Sequence, residues 1–495
     1  MKTISHHTKQ FVGRVTFLLT LALLCFAPLS TANAQPRTGT ATTHFVKAGA
    51  NSNGTGTSWA NAFPKLQDAL AVAQSGDEIW VAAGVYTPEN AQSSFTLVDG
   101  VAIYGGFAGN EIARSARNWK TNLTVLSGDV DGDDLNSDGN FISESVTDIL
   151  GTNSDVVVAS NGVSRATRLD GVIVTGGKGG NGAGMNNQNS SSPTVANVIF
   201  WGNHAGSHGG GMYNNNSSPL LRDVVFMNNQ AGRGGGIANL ASSSPVLVNV
   251  TFTGNRVVNQ GGGMHSVNST STLWNVSFFG NHADGEGGGM NNDMGDASLT
   301  NVVFVGNTTA TTVGGGMTNV NGGTLILTNL TFVDNRSTDS GGAMYNYNTT
   351  PAIRNTIFWN NGGSESGSQI NGKPEGIRNS LIQGDSNTDG GNLDGTLESN
   401  NPRFVRQPSD GGDGWGVGNN DDYGDLRLLN SSALIGKGNN SFLPADAQDL
   451  DGDANTSEPL PVDRGGHTRV VDGTVDLGAY EYGLHYRAFL PQTRK

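Results

Sequence analysis

Residues 247–255 read LVNVTFTGN, and residues 273–281 repeat the same pattern as LWNVSFFGN. The motif Phe-x-x-Asn within this stretch occurs seven times at a nearly constant distance. The phenylalanines are Phe200, Phe226, Phe252, Phe278, Phe304, Phe332 and Phe358, separated by 26, 26, 26, 26, 28 and 26 residues. A fixed period in this range is typical of a solenoid, in which each repeat buries its apolar face by stacking on its neighbours.

The residues that precede each phenylalanine alternate as they do in a β-strand. An aliphatic residue stands five positions before every phenylalanine, as Leu247 does before Phe252, and most repeats have Val or Leu two positions before it, as Val250 does. The positions between vary freely, with Arg222 and Trp274 in one column. A period of two residues indicates strands with one buried face.

Two polar columns flank the phenylalanine, three positions before it and three positions after it. The first column is Asn197, Asp223, Asn249, Asn275, Asn301, Asn329 and Asn355, and the second is Asn203, Asn229, Asn255, Asn281, Asn307, Asn335 and Asn361. Stacked coils would bring identical amides about 4.8 Å apart, close enough to form hydrogen-bonded ladders. Because asparagine also tolerates the left-handed backbone of a corner, both columns are predicted to form the corners of the coil.

Glycine clusters that end in a large apolar residue lie between successive phenylalanines, as at residues 209–212 (GGGM) and 261–264 (GGGM). Glycine allows the tight corners that a coil needs, and methionine fills irregular gaps in a core. A phosphate-binding loop would need a following helix and a basic residue, and neither is indicated here.

These features predict an all-β protein, a right-handed parallel β-helix solenoid with coils of about 26 residues and a short N-terminal capping helix. A leucine-rich repeat has a similar period, but its leucine pattern is tighter, and residues 214–219 (NNNSSP) are poor helix formers. The predicted divisions are an N-terminal cap at 35–78, the β-helix at 79–386 with regular repeats at about 169–385, the C-terminal end at 387–482 and a tail at 483–495.

The N-terminus predicts a signal peptide at residues 1–34. Three basic residues precede an apolar run at 17–24 and an Ala-Asn-Ala cleavage site at 32–34. The run is shorter than the roughly 20 residues needed to span a bilayer. We therefore expect a secreted or cell-surface bacterial protein, without an integral membrane segment after cleavage.

Cysteine content and net charge limit the kinds of partner that the chain is expected to bind. The single cysteine, Cys25, lies within the signal, so the mature chain would have no disulfide. Removal of the three basic residues takes the formal charge from −14 to −17. An acidic surface argues against nucleic-acid partners, whose binding depends on Lys and Arg. The predicted state is a monomer whose partner is a polysaccharide or another cell-surface ligand.

Three stretches resemble known families. The pairing of Phe-x-x-Asn with Gly-Gly-Gly-Met resembles the repeats of chlamydial polymorphic outer-membrane proteins, which are surface adhesins. Residues 56–61 (GTSWAN) and 81–86 (VAAGVY) look like the start of bacterial right-handed parallel β-helix proteins. The ending at 476–481 (DLGAYE) is similar to the choice-of-anchor Q family, whose members join a β-helix body to varied C-terminal sorting tails. These resemblances imply a fold and a surface location, and they imply no chemistry.

Two aspartate-rich stretches are candidate calcium loops. Residues 129–134 read DVDGDD and residues 449–455 read DLDGDAN, so each places carboxylates on alternate residues, as calcium loops do. The predicted ligands are Asp129, Asp131, Asp133, Asp449, Asp451 and Asp453. Neither stretch completes the EF-hand pattern, and solvated acidic turns are the open alternative. No other cofactor is indicated.

Aromatic side chains beside the core columns are candidates for carbohydrate binding. The residue after each repeating phenylalanine points outward if the phenylalanine points inward, and a tyrosine follows the methionine column in two coils. The predicted carbohydrate-binding residues are Trp201, Phe279, Trp359, Tyr213 and Tyr345. The alternative is that a corner or a loop covers these rings.

The sequence predicts no catalytic residue. Polysaccharide lyases and glycoside hydrolases occur on β-helices, and they need a charged cluster such as paired carboxylates on neighbouring coils. Charges in the central repeats are scattered along the sequence, as at Arg233, Asp284 and Glu286. We therefore expect an adhesin-like or cell-envelope binding protein, with a polysaccharide lyase or glycoside hydrolase as the alternative.

Overall fold

The computed structural model describes residues 41–363, 369–417 and 420–483. The predicted signal peptide and all but the first residue of the predicted tail lie outside these ranges. The described chain forms a mostly-β parallel solenoid of about 12 turns, with coils of about 26 residues. The predicted fold class is confirmed.

Three long parallel sheets form the walls of the solenoid. Sheet 1 consists of Thr43–Val46, Glu78–Ala82, Ala102–Phe107, Arg168–Asp170, Thr194–Ala196, Leu220–Arg222, Val246–Val248, Ser271–Trp274, Ala297–Thr300, Leu325–Thr328 and Ala352–Arg354. Sheet 2 consists of Gly84–Tyr86, Thr124–Ser127, Ile173–Thr175, Ile199–Trp201, Val225–Met227, Thr251–Thr253, Ser277–Phe279, Val303–Val305, Thr331–Val333, Ile357–Trp359 and Leu381–Ile382. Sheet 3 consists of Phe95–Thr96, Val158–Asn161, Met185–Gln188, Met212–Asn215, Ile237–Leu240, Met264–Val267, Met290–Asp293, Met317–Val320, Met344–Tyr347 and Ile370–Asn371.

A shorter parallel sheet lies between sheets 2 and 3 in the middle of the coil. This sheet 4 consists of Lys178–Asn181, His204–His208, Gln230–Arg233, Arg256–Gln260, His282–Ala283 and Thr308–Thr309. Each regular turn therefore passes through sheets 1, 2, 4 and 3 in that order. Outside the coil, Phe404–Arg406 and Asp425–Leu428 form an antiparallel pair.

Within the described ranges, helix is confined to short elements. The α-helix Leu66–Val72 lies where the capping helix is predicted and buries Leu66, Ala69 and Leu70 against the first coils. The 3₁₀ helices are Trp59–Asn61, Arg114–Ala116, Asp389–Gly391, Glu398–Asn400 and Asn440–Phe442. The strand Thr43–Val46 precedes the α-helix and pairs with Glu78–Ala82, so the stack of strands begins before residue 79.

The repeating phenylalanines form a single stack along the core. All seven are fully buried, and consecutive ring centroids lie 4.6–5.1 Å apart with ring planes within 9° of parallel. Each phenylalanine pairs in register with the phenylalanine of the next coil, as Phe278 does with Phe304. The stack fixes the register because a slip of one residue would turn the rings to the outer face.

Both asparagine columns form the predicted ladders. Side-chain amides of the first column donate to the preceding coil at 3.0–3.3 Å, and those of the second column donate to the next coil at 2.8–3.0 Å. The second column is buried, and its amides also donate to core carbonyls, as Asn281 Nδ2 does to Phe252 O at 3.0 Å.

The backbone role predicted for the second column is wrong. The first column has positive φ, with 54° at Asn275, as a left-handed corner requires. In the second corner the positive φ falls one residue earlier, at Gly254 (64°) and Gly280 (57°), for example. The side-chain amide of the second column points into the core. The residue before it therefore takes the left-handed backbone conformation of the corner.

The chain after the last coil runs back along the outside of the solenoid. We call residues 393–483 the C-terminal segment. Its Phe404, Leu426 and Leu434 pack with Val303 and Val333 on the outer face of sheet 2. Hydrogen bonds also join the segment to the coil: Gly478 N donates to Asn355 O at 2.8 Å, and Ala479 N donates to Thr331 Oγ1 at 3.0 Å. The segment therefore covers side chains that the repeat pattern directs outward.

A buried charge cluster holds the end of this segment. Arg469 is fully buried, and its Nε lies 3.7 Å from Glu481 Oε2. Its guanidinium also donates to Asp476 O and Gly478 O, at 3.2 and 2.8 Å. The carboxylates of Asp463 and Asp476 are buried beside it and accept backbone N–H groups, including Glu481 N at 2.8 Å from Asp463 Oδ2. One arginine thus faces three carboxyl groups.

We expect stability to fall as the pH rises from about 4.5 to about 8. Burial raises the pKa of Glu481 from its ordinary value of 4.5 to about 8, although Arg469 opposes this shift and the nearby Asp476 and Asp463 carboxylates add to it. A raised pKa in the folded state stabilises it fully below pH 4.5, and this contribution is lost as the pH rises through 8.

The measurement is urea denaturation from pH 5 to pH 9 on the parent and on Glu481→Gln. The parent should lose a few kcal/mol more than the variant over this range, because one pKa unit corresponds to about 1.4 kcal/mol. Parallel pH profiles for the two proteins would contradict the assignment to Glu481.

Candidate functional site

The column that precedes each glycine cluster carries a polar network across consecutive coils. His208, Arg233, Gln260 and Glu286 end the sheet 4 region of their coils, and each is half-buried. Arg233 Nε donates to Gln260 Oε1 at 3.1 Å, and Gln260 Nε2 donates to Glu286 Oε2 at 3.4 Å. Because these residues recur once per coil in register, the network runs parallel to the solenoid axis.

The second residue of each sheet 3 strand lies against this network across the glycine corner. Asn291 Nδ2 donates to Glu286 Oε2 at 3.5 Å, and its Oδ1 lies 3.0 Å from His265 Nδ1. The rings of His208 and Tyr213 are 6.0 Å apart. We call the group His208, Tyr213, Arg233, Gln260, His265, Glu286 and Asn291 the polar strip.

The polar strip is close to neutral at physiological pH. Burial, together with the nearby His208 and Arg233, lowers the pKa of His265 to about 3 although the hydrogen bond to Asn291 opposes the shift, so its imidazole is uncharged. Burial and Arg233 also lower the pKa of His208. The remaining charges are Arg233 and Glu286, which cancel. Its half-buried members, His208, Arg233, Gln260 and Glu286, can donate and accept hydrogen bonds without a net charge.

Of the predicted aromatic residues, Tyr213 and Tyr345 lie in the sheet 3 column of the polar strip. Tyr213 is nearly buried beside His208, and Tyr345 is half-buried in the same column, two coils beyond Asn291. Their predicted role in carbohydrate binding remains a prediction. Tyr213 is only 9% exposed and has little ring surface to offer a ligand, whereas Tyr345 is partly open to solvent.

The other three predicted aromatic residues lie on the outer face of sheet 2, where chain segments cover them. Trp201 Nε1 donates to the Glu144 carbonyl of the loop 128–154 at 3.1 Å. Phe279 stacks on Tyr423 of the C-terminal segment, with centroids 4.9 Å apart, and Trp359 is only 9% exposed within the same apolar cluster. We leave Phe279 and Trp359 out of the candidate site because their rings pack against this segment.

The first predicted calcium loop forms a tight acidic turn. Carboxylate oxygens of Asp129, Asp133 and Asp134 lie within 4.8 Å of one another. Asp129 accepts the backbone N–H groups of Gly132, Asp133 and Asp134, and Asp131 accepts that of Thr152 instead. Backbone N–H groups thus already use part of the hydrogen-bonding capacity of the carboxylate oxygens in this loop. Calcium binding here remains a prediction.

The second predicted loop is joined by two further carboxyl groups. Oxygens of Asp446, Asp449 and Asp451 lie within 4.8 Å of one another, and so do those of Asp451, Asp453 and Glu458. Sequence reasoning found the three alternating aspartates and missed Asp446 and Glu458, which lie outside the motif.

Sequence reasoning also treated the charges of the strip as scattered. Arg233 and Glu286 are far apart in the sequence, but each directly precedes its glycine cluster, at Gly234 and Gly287. An alignment on the glycines, in addition to the phenylalanines, would have placed them in one column. The repeat therefore contained the information needed to find this network.

Comparisons with known proteins bear on the fold. No protein-family model matches the chain, and no curated protein sequence matches it. Among solved structures, the pectate lyase Pel9A is 14% identical with a TM-score of 0.48, covering 90% of this chain and 97% of its own. A rhamnogalacturonan lyase is 12% identical with a TM-score of 0.38, covering 74% of this chain and 90% of its own. The parallel β-helix, which the strand pairing establishes, is distantly similar in shape to these two polysaccharide lyases.

None of the helices within the described ranges is long and apolar enough to cross a membrane.

Proposed function

We propose that this chain is a secreted or surface-displayed, non-catalytic β-helix protein that binds a neutral polysaccharide along the polar strip. The observation that carries the proposal is the in-register network of Arg233, Gln260 and Glu286, which repeats polar groups at the spacing of the coil. A regular polymer with hydroxyl groups at regular intervals can contact such a face at several coils. Tyr345 supplies ring surface in the sheet 3 column of the strip.

The charge of the strip favours a neutral ligand. A polyanionic chain would require an excess of Lys or Arg, whereas the strip has one arginine and one carboxylate. The predicted leader at 1–34, the absence of cysteine from the remaining chain and the resemblance of 476–481 to the choice-of-anchor Q ending support an extracytoplasmic location. Membership of that family and an adhesin-like role are parts of the same proposal.

An enzymatic role receives less support from the strip. Glycoside hydrolysis uses two carboxyl groups about 5–9.5 Å apart, and Glu286 is the only carboxylate in the strip. His265, which is buried and uncharged, is a hydrogen-bond partner of Asn291 and a poor candidate for a base near pH 7. Binding without turnover is therefore the simpler function for this surface.

We expect Tyr345→Ala to weaken binding of a neutral polysaccharide about tenfold, which corresponds to about 1.4 kcal/mol. The reason is the loss of a partly exposed ring surface in the sheet 3 column of the strip. Gln260→Ala should also weaken binding, because it breaks the bridge between Arg233 and Glu286. Calorimetry with the hits of a screen of neutral and acidic polysaccharides measures both effects.

The matched control is Tyr347→Ala, which removes a ring from the same sheet 3 strand as Tyr345 but at its 55% exposed end. This variant should bind like the parent. An equal loss of affinity in Tyr347→Ala would contradict the assignment to the strip. Release of unsaturated products or reducing ends from any polysaccharide would contradict the non-catalytic role.

A further inference from the structure

The second acidic loop is closed at its base by a short antiparallel pairing. Ala445 pairs with Pro459, Asp446 N donates to Glu458 O at 2.8 Å, and Leu460 N donates to Pro444 O at 2.8 Å. The loop between them carries Asp449, Asp451 and Asp453. The pairing places Asp446 and Glu458 at the base of the loop, close to these aspartates. Five carboxyl groups of one loop therefore lie near one another.

Two oxygens in this cluster lack a hydrogen-bond donor. Asp446 is fully buried, and its Oδ2 accepts Leu450 N at 2.7 Å, but its Oδ1 has no donor among the described residues. Glu458 Oε1 is likewise buried without a described donor. An unsatisfied buried oxygen is costly, and a carboxylate oxygen more so than a neutral one. Exposed acidic turns do not show this feature, because water satisfies their oxygens.

We propose that the loop 444–460 binds calcium through Asp446, Asp449, Asp451, Asp453 and Glu458. Calcium takes six to eight oxygen ligands in flexible geometry and prefers carboxylates. Asp451 belongs to both groups of oxygens that lie within 4.8 Å, which makes it the central ligand. The cation supplies the missing partner of Asp446 Oδ1 and offsets the repulsion among five carboxylates. This inference does not depend on the proposed polysaccharide binding.

Calcium at this site would fasten the C-terminal segment to the coil. Leu443, Leu450 and Leu460 from both arms of the loop pack with Trp274 and Val248 on the outer face of sheet 1. Arg222 also donates to Gln448 O at 3.0 Å. Since the acidic tip and the apolar docking residues belong to one loop, ordering of the tip stabilises the docked position.

Terbium luminescence tests the site with a readout near the ion. Trp274 contacts the same loop and should transfer energy to bound Tb³⁺, a calcium mimic, and added calcium should quench the signal by displacement. Asp451→Asn should weaken calcium binding at least about tenfold, because it removes the negative charge and one oxygen of a ligand shared by both groups. The matched control Asp472→Asn changes an exposed aspartate of the same segment and should bind like the parent.

Calorimetry and melting curves separate this loop from the first one. Calcium should raise the melting temperature of the parent and of Asp129→Asn, and it should have a much smaller effect on Asp451→Asn. The proposal is overturned if the parent binds no calcium by calorimetry, if Asp451→Asn binds like the parent, or if Asp129→Asn alone abolishes binding. Magnesium binding as tight as that of calcium would overturn the choice of ion.

Discussion

Replacement of Phe278 by alanine should lower the free energy of unfolding by about 3–5 kcal/mol. The ring is fully buried and stacks on Phe252 at 4.7 Å and on Phe304 at 4.6 Å. Its removal leaves a cavity between two rings that the backbone cannot close, because the strands on either side are fixed by parallel pairing. Because each coil of a solenoid is stabilised largely by its two neighbours, the loss falls on both interfaces of the coil that carries Phe278.

Urea denaturation followed by circular dichroism measures this effect. The control is Val258→Ala, which truncates an apolar side chain that is 58% exposed and should change stability by less than about 0.5 kcal/mol. A loss below 1 kcal/mol for Phe278→Ala would contradict the view that the phenylalanine stack holds the coils together.

Replacement of Arg469 by methionine should release the C-terminal segment while the coil stays folded. The change leaves the carboxyl groups of Asp463, Asp476 and Glu481 buried without their cation, and it removes the donor to Gly478 O. Removing one partner of a buried ion pair typically costs about 3–5 kcal/mol of stability. Because the cluster belongs to the C-terminal segment, the cost falls on its docking.

Limited proteolysis with mapping of the cleavage sites measures the release. Cuts should concentrate in residues 393–483, and the circular dichroism of the sheets should persist. Arg406→Met is the matched control, since Arg406 pairs with Asp422 at the surface of the same segment and such a pair contributes at most about 1 kcal/mol. Loss of the whole β-signal in Arg469→Met, or equal cleavage in Arg406→Met, would show that the cluster does not act on docking.

The interior of the coil could be predicted from the sequence because the repeat encodes it directly. Residues that stack on one another in the core are separated by one period, as Asn281 and Asn307 are, so a column of identical residues is a list of contacts. The phenylalanine stack and both amide ladders follow from this correspondence. The position of the left-handed residue in the second corner did not, because Gly280 and Asn281 both tolerate that backbone and side-chain burial decides between them.

The candidate sites were only partly predictable. The strip needed an alignment on the glycines, since Arg233 and Glu286 are two coils apart and neighbours only through Gln260. The acidic loop was visible as alternating aspartates, but Asp446 and Glu458 join it through a backbone pairing that no spacing rule shows.

The repeat was enough to establish the parallel coil, its period and the residues of its core, because these contacts recur at a fixed separation in the chain. Which outward side chains remain exposed depends on the folded arrangement of the rest of the chain. The C-terminal segment has no period, and it packs on coils up to 226 residues away, as the bond from Arg222 to Gln448 shows. Its docking depends on apolar contacts and on the cluster around Arg469, and these bring together residues that no repeat relates. For that reason Phe279 is covered while Arg233, Gln260 and Glu286 of the polar strip remain partly exposed.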